Sequence, residues 1–121
     1  MFHLEKKITK IIEELTIFFF AVGADEIFSN INIKKEDREV VIGIKSNYDV
    51  YYSQKVNRLE EYLNKPKNEA IEDEYWELAG SGDPGEASQI ILVGMMIDRA
   101  EVAIEKSVVY LMLHKKLEEW E

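Results

Sequence analysis

The chain has 121 residues, a mass of 14.1 kDa and a formal net charge of −9. That length is typical of one domain, placed at residues 1–121, and 46% apolar residues supply a core and argue against disorder. Cysteine is absent, and no signal peptide or apolar run of ~18 residues is visible, so we expect a cytoplasmic protein. The acidic charge repels phosphate groups, which excludes nucleic acid and membrane as expected partners.

The first segment has the spacing of an amphipathic helix. Apolar residues recur at steps of three and four from Leu4 to Val22, and Gly23 follows them, where a helix commonly takes a left-handed cap. Helical spacing assigns two of the three phenylalanines at 18–20 to the core.

The period then changes to two, which predicts an antiparallel hairpin. Apolar and other residues alternate over 27–33 and again over 40–45, and the polar stretch 34–38 joins the two runs. We expect the apolar face of this hairpin to lie on the first helix.

Helical patterns return over 49–64 and 68–79, followed by a glycine-rich break at 80–85. The first of these helices has an inward stripe made of Tyr52, Val56, Leu59 and Leu63. A further helix is expected to begin at Asp83, which can cap it, and to run through Ile97.

The C-terminal third has two interpretations. One helix could continue to Trp120, or the helix could end near Ala100 and a second hairpin could follow, with strands at 102–104 and 108–113 and a turn at 105–107. The β-branched and aromatic residues of this window favour the hairpin. The predicted fold is therefore an α/β (α+β) two-layer sandwich of order α-ββ-α-α-α-ββ, with a four-stranded sheet from two hairpins and helices on one face.

Several patterns could carry chemistry, but each has a simpler structural explanation. The glycines at 80, 82 and 85 fit a phosphate-binding loop, although a helix precedes them, which favours a plain connection between helices. The pairs Glu69/Glu72 and Asp98/Glu101 could hold Mg²⁺ on helical faces, but solvated faces of an acidic protein explain them better. His3 and His114 are expected to be ordinary surface residues, and no catalytic or metal-binding residue is predicted.

The last strand indicates a contact between chains. Val109, Leu111 and Leu113 would fill its core side, which leaves Val108, Tyr110 and Met112 on the other side of the sheet. An apolar sheet face that no helix covers commonly marks a contact between subunits. We therefore expect a homodimer, or a protein partner, at these three residues.

The order of elements resembles the histidine-kinase-like ATPase domains found in gyrase, a class of heat-shock chaperones, histidine kinases and mismatch-repair ATPases. The local matches are Glu14-Leu15, the segment 23–27, the segment 45–48 at the family's Asp-x-Gly turn, and Gly80-Ser81-Gly82 at its second glycine box. The resemblance implies ATP with Mg²⁺ as ligand, Glu14 as general base, Asn47 as a polar contact, and Gly80 and Gly82 as phosphate contacts.

The chain departs from that family where its chemistry lies. Phe18 stands at the position of the Mg²⁺-binding Asn, Ser46 at that of the adenine-reading Asp, and Tyr48 at that of the turn glycine. Phenylalanine offers no oxygen to a hard cation. We therefore expect a degenerate ATPase-like fold without cofactor: a small, non-catalytic bacterial domain, homodimeric, acting through protein–protein contact or regulation. The alternatives are a divergent ATP-binding or nucleotide-binding protein and a carboxylate-metal nucleotide hydrolase.

Overall fold

A four-stranded antiparallel sheet with helices on one face forms the architecture of the protein. The computed structural model describes residues 2–65 and 87–117. The strands lie in the order β1-β2-β4-β3, and their bounds are β1 Ile27–Lys34, β2 Glu39–Asn47, β3 Arg99–Glu105 and β4 Val108–Lys116. The predicted two-layer α+β sandwich from two hairpins is confirmed. The predicted helix at 68–79 and the glycine-rich break lie outside the described residues.

The first helix, α1, spans Phe2–Ala21 and ends as its sequence predicts. Gly23 adopts a φ of 87°, and a Cβ there would approach the Cβ of Asp49 to 2.8 Å, so glycine is required twice over. Phe18 and Phe19 are buried and meet edge to face at 5.4 Å, whereas Phe20 is exposed, as the helical spacing predicts.

The predicted helix at 49–64 is divided into three short pieces. A 3₁₀ turn at Val50–Tyr52 leads into α2 at Ser53–Val56 and α3 at Leu59–Leu63. The Asp49 side chain accepts a hydrogen bond from the Tyr51 N–H, which fixes the tight first turn. The inward stripe survives the breaks in α2 and α3, where Val56, Leu59 and Leu63 are buried, whereas Tyr52 of the 3₁₀ turn is half-buried against the core.

The C-terminal third forms the second hairpin, as predicted. Helix α4, Ala87–Met95, packs against α1 and α3 and stops earlier than expected, because the Asp98 N–H donates to the His114 carbonyl and begins the pairing of β3 with β4. The turn contains two residues, Lys106 and Ser107, with φ values of 50° and 63°. Two left-handed residues are the requirement of a type I′ hairpin.

The helix layer covers the sheet unevenly. Most of the buried apolar side chains that face the helices come from the two central strands, and β3 adds Ala100: Val40, Ile42, Ile44, Ala100, Val109, Leu111 and Leu113. On β1, Ile31 and Ile33 point to the same side but are 49% and 38% exposed. The expectation that the whole apolar face of the first hairpin lies on α1 is wrong for this half of β1, because α1 and the other described helices do not cover it.

Candidate interaction surface

The sheet face opposite the helices, here called the open face, carries the predicted contact residues. Val108, Tyr110 and Met112 all lie on it, and the register places Phe28, Lys45 and Tyr110 side by side across three strands. Phe28 is 55% exposed, Tyr110 41% and Met112 43%, while Val108 is half-buried. The prediction that these side chains of β4 point away from the core is confirmed.

A groove runs along the open face above Gly43. Phe28 and Asn30 form one wall, Tyr110 and Met112 form the other, and the volume is about 290 Å³. Glycine makes the groove possible, since a Cβ at Gly43 would lie 3.0 Å from the Asn30 side-chain oxygen. A missing side chain on a central strand therefore produces the concave part of an otherwise flat face.

Among the described residues that line the groove, only Lys45 carries a positive charge. Its ammonium nitrogen lies 6.0 Å from the centre of the Phe28 ring and 5.7 Å from that of the Tyr110 ring. Both rings therefore attract the ammonium group, which stays exposed at the end of the groove. A groove with aromatic walls and one positive charge suits an apolar side chain accompanied by a carboxylate.

His114 is not the ordinary surface residue that the sequence predicts. Its side chain is 14% exposed, its Nδ1 lies 2.9 Å from a carboxylate oxygen of Glu39, and its Nε2 lies 3.3 Å from one of Glu101. The Nδ1 contact links β4 to β2, whereas Nε2 lies near the Glu101 carboxylate of β3 without the geometry of a hydrogen bond. The Arg99 guanidinium, bonded to Glu101, holds the pKa of that carboxyl below its usual value.

The predicted carboxylate pair Asp98/Glu101 does not lie on a helical face. Glu101 belongs to β3, and the carboxylate of Asp98 accepts the Lys116 backbone N–H. Glu69 and Glu72 lie outside the described residues. Within residues 2–65 and 87–117, no group of three His, Asp or Glu side chains is placed to hold a metal ion.

The predicted general base, Glu14, is part of a helix-surface ion pair. It is largely buried, and its carboxylate lies 2.8 Å from the ammonium of Lys10, one turn earlier in α1. This hydrogen bond raises the pKa of Lys10. Phe18, one turn further along, belongs to the core, so the position of the family's metal ligand is filled by packing.

Asn47, the predicted polar contact, clamps the entry into β1. Its side-chain oxygen accepts the N–H groups of Asp25 and Glu26 at 3.0 and 3.2 Å, and its amide donates to the Asp25 carboxylate at 2.6 Å. Ser46 is buried and donates to the Asn47 carbonyl. Gly80 and Gly82 lie outside the described residues. The described members of the predicted nucleotide site are therefore all occupied in holding the fold.

The two outer edges of the sheet differ. At β3, the Asn64 side chain binds both the N–H and the C=O of Ala100 at 2.9 Å, and the Glu60 carboxylate accepts the Val102 N–H at 3.3 Å. At β1, no hydrogen bond from residues 2–65 or 87–117 reaches the outward backbone groups. Sequence patterns give no signal for this difference, because Asn64 and Ala100 are far apart along the chain.

No protein-family model matches the chain, and neither a curated protein nor a solved structure is significantly similar to it. The resemblance to histidine-kinase-like ATPase domains therefore stays a prediction. Among the described helices, none combines the length and the apolar character that a membrane span requires.

Proposed function

We propose that this chain is a small, non-catalytic interaction domain that forms a homodimer and acts through contact with protein. The open face carries the contact with protein in this proposal, because Phe28, Tyr110 and Met112 expose large apolar side chains around one groove. Contiguous apolar surface of this kind marks interaction sites on proteins. The cysteine-free composition favours a cytoplasmic location, and an accessory or regulatory role in a bacterium fits these properties.

The chemistry of the open face favours protein as its ligand. Apolar contact contributes about 25 cal/mol per Å² removed from water, and aromatic side chains are the largest contributors at such contacts. Lys45 adds a charge that a carboxylate of the bound chain can pair with. Among the described residues that line the groove, Lys45 supplies the single charged group and the rest of the lining is largely apolar or aromatic, which suits binding.

Light scattering coupled to size-exclusion chromatography, over a wide range of protein concentration, tests the proposal. We expect a mass of two chains at high concentration and dissociation on dilution. A monomer at every concentration would contradict the homodimer. Replacing Tyr51, an exposed aromatic off the sheet, with Ser gives a control that should leave the mass unchanged.

A nucleotide-binding role is the competing hypothesis, and a thermal-shift titration with ATP and Mg²⁺ distinguishes it. A ligand at 100 times its Kd adds about 2.7 kcal/mol to apparent stability, so real binding is visible as a higher Tm. We expect no shift, because Glu14 and Asn47 are engaged within the fold. An increase in Tm with ATP and Mg²⁺ that disappears in Glu14→Gln would instead favour the nucleotide-binding hypothesis, with Gly80 and Gly82 as phosphate contacts.

The degenerate ATPase-like fold is retained within the proposal. Its support is the order of elements, together with the burial of Phe18 and Ser46 where the family places a metal ligand and an adenine contact. Such a protein would keep the scaffold and use its surface, since fold and function are separable.

A further inference from the structure

The free edge of β1 presents backbone groups in a defined alternation. The Asn47 N–H donates to the Glu26 carbonyl, and the two residues are opposite in the register of β1 with β2. Bonded and non-bonded pairs alternate in an antiparallel ladder. The even-numbered residues of β1 therefore bond to β2, and the outward N–H and C=O groups belong to the odd-numbered ones: Ile27, Ser29, Ile31 and Ile33.

The side chains of the same four residues face the side of the sheet that carries the helices. Ser29, Ile31 and Ile33 are exposed there, because the helices within residues 2–65 and 87–117 stop short of this half of β1. An eight-residue edge strand with apolar side chains, no proline and no charge before its last residue is a template for pairing with another strand.

Charge at the two ends of β1 selects the partner and its direction. Glu26 precedes the strand and Lys34 ends it, so one end is acidic and the other basic. An antiparallel second copy brings each acidic end against a basic end, whereas a parallel copy brings like charges together. The edge is thus complementary to itself under a two-fold rotation, which is the requirement of an isologous dimer.

We propose that two copies of the chain join β1 to β1 in antiparallel fashion and form a continuous eight-stranded sheet. The two-fold axis passes between the two Asn30 residues. Ile27 then pairs with the partner's Ile33, and Ser29 pairs with the partner's Ile31. About eight hydrogen bonds form from the outward backbone groups. This inference rests on the proposed function, because it states where the proposed homodimer forms.

Among the antiparallel registers shifted by two residues, only this one both pairs the outward backbone groups and places opposite charges against each other. Glu26 lies opposite the partner's Lys34, and the reciprocal pair repeats on the other side of the axis. A shift of two residues in one direction sets Glu26 against the partner's Glu36, and a shift in the other direction leaves Lys34 opposite the partner's Ala24. The Asn30 side chains do not obstruct the axis, because each leans inward over Gly43.

The dimer leaves the open face of each subunit uncovered. Phe28, Tyr110 and Met112 lie on that face of the sheet, whereas the pairing uses the edge. The two grooves therefore lie on the same side of one extended sheet, available to a protein partner. Dimer formation and partner binding are consequently separable by mutation.

The first test is Ser29→Pro, measured as the dimer Kd by sedimentation equilibrium. The Ser29 N–H points away from β2, so proline removes no bond of the β1–β2 ladder, and edge strands tolerate proline. We expect the Kd to rise at least about 30-fold, because each dimer loses two hydrogen bonds and meets the proline ring. Circular dichroism confirms folding. The control variant Tyr51→Ser, at an exposed aromatic off the sheet, should leave the Kd within about threefold of wild type.

The second test exchanges charges and holds even if Ser29→Pro fails to fold. Glu26→Lys and Lys34→Glu should each weaken the homodimer about 10-fold, since each places like charges opposite one another. Mixed together, with one variant labelled with ¹⁵N, they should form mixed dimers above the statistical share in native mass spectrometry. The doubly exchanged variant should recover the wild-type Kd.

The outcomes separate this inference from the proposed function. A dimer that resists Ser29→Pro and the charge exchanges but dissociates in Tyr110→Ser would overturn the edge pairing and leave the homodimer standing on the open face. Wild-type protein that stays monomeric would overturn both. Weakening by single charge reversals without preference for mixed dimers would overturn the antiparallel register.

Discussion

The two edge strands of one sheet are treated in opposite ways. The outward N–H and C=O of Ala100 and the N–H of Val102 on β3 are engaged by Asn64 and Glu60 at α3, so the first half of this edge is closed from within the subunit. The edge of β1 has no such partner among residues 2–65 and 87–117. A sheet with one closed and one free edge pairs once and stops, whereas two free edges would continue into a filament.

Side chains on the open face follow the same division. Two rows of neighbouring side chains cross all four strands on this face. On β3 the rows end in the charged residues Arg99 and Glu101, whereas on β1 they end in the uncharged residues Asn32 and Asn30. Charged residues on an edge oppose pairing with another strand because pairing would desolvate them. Among the described residues, the β3 edge is protected by side chains at α3 and by charged residues within the strand, whereas β1 carries charge only at its last residue, Lys34.

We expect the largest loss of stability at the contact between α4 and α3, because α3 positions the side chains that engage the edge of β3. A Cβ at Gly94 of α4 would lie 2.7 Å from the Leu63 carbonyl oxygen, which is backbone of α3 and cannot yield without moving that helix. Overpacking costs up to about 3 kcal/mol, and alanine returns about 1 kcal/mol of helix propensity. We expect Gly94→Ala to lower the free energy of unfolding in urea by about 2 kcal/mol.

Gly43→Ala is the matched control for Gly94→Ala. Its Cβ would meet the Asn30 side chain, which can swing away, so the loss should stay below about 1 kcal/mol. Equal losses of unfolding free energy in the two variants would show that the close approach of α4 to α3 is not the reason why glycine is needed at residue 94.

Asn64→Ala removes the closure of β3 directly. Both backbone groups of Ala100 lose their partner, which should lower the free energy of unfolding by about 1.5 kcal/mol. The variant also has a second free edge, so light scattering should detect assemblies larger than a dimer. Asn57→Ala, in the exposed link between α2 and α3, should change neither quantity. A dimer of unchanged size would argue that charge alone protects β3.

The order of helices and strands could be predicted from the sequence, because the spacing of apolar residues differs between a helix and a strand. The change of period after Gly23 predicts the first hairpin, and the β-branched run after Ala100 predicts the second. The turn at Lys106 and Ser107 carries no glycine or asparagine, so its two-residue length was not predictable from composition. The strand pairing imposes those left-handed conformations, not the preferences of the residues.

The features on which the proposed function rests were harder to predict from the sequence. Alternation in β1 predicts which side chains face the helices but not how far the helix layer extends, so the exposure of Ile31 and Ile33 was missed. The sequence pattern places Asn64 at the end of a helix, but it gives no sign that the Asn64 side chain binds the backbone of Ala100, 36 residues later in the chain. His114 was missed for the same reason, since Glu39 and Glu101 come from other strands.

A smaller effect is expected at the second contact that closes β3. Glu60→Ala removes the acceptor of the Val102 N–H on an exposed surface, which should cost about 0.5 kcal/mol in urea unfolding. Glu60→Gln keeps a side-chain oxygen and should recover most of the loss. Glu61→Ala, which removes only the exposed ion pair with Arg58, should have a still smaller effect. Equal losses at Glu60 and Glu61 would mean that the bond to Val102 contributes nothing.

The smallest expected effect concerns the charge on β3 and is measured as a pKa. The hydrogen bond from Arg99 is the main cause that holds the pKa of Glu101 below that of an ordinary glutamate. A lowered folded pKa means that the interaction stabilises the fold above the ordinary pKa and is lost as the pH falls through the folded one. NMR titration should therefore find a low pKa for Glu101 in wild type and a value nearer the ordinary one in Arg99→Ala. An unchanged pKa would assign the shift to His114, and Arg99 would then protect the edge only through its own charge.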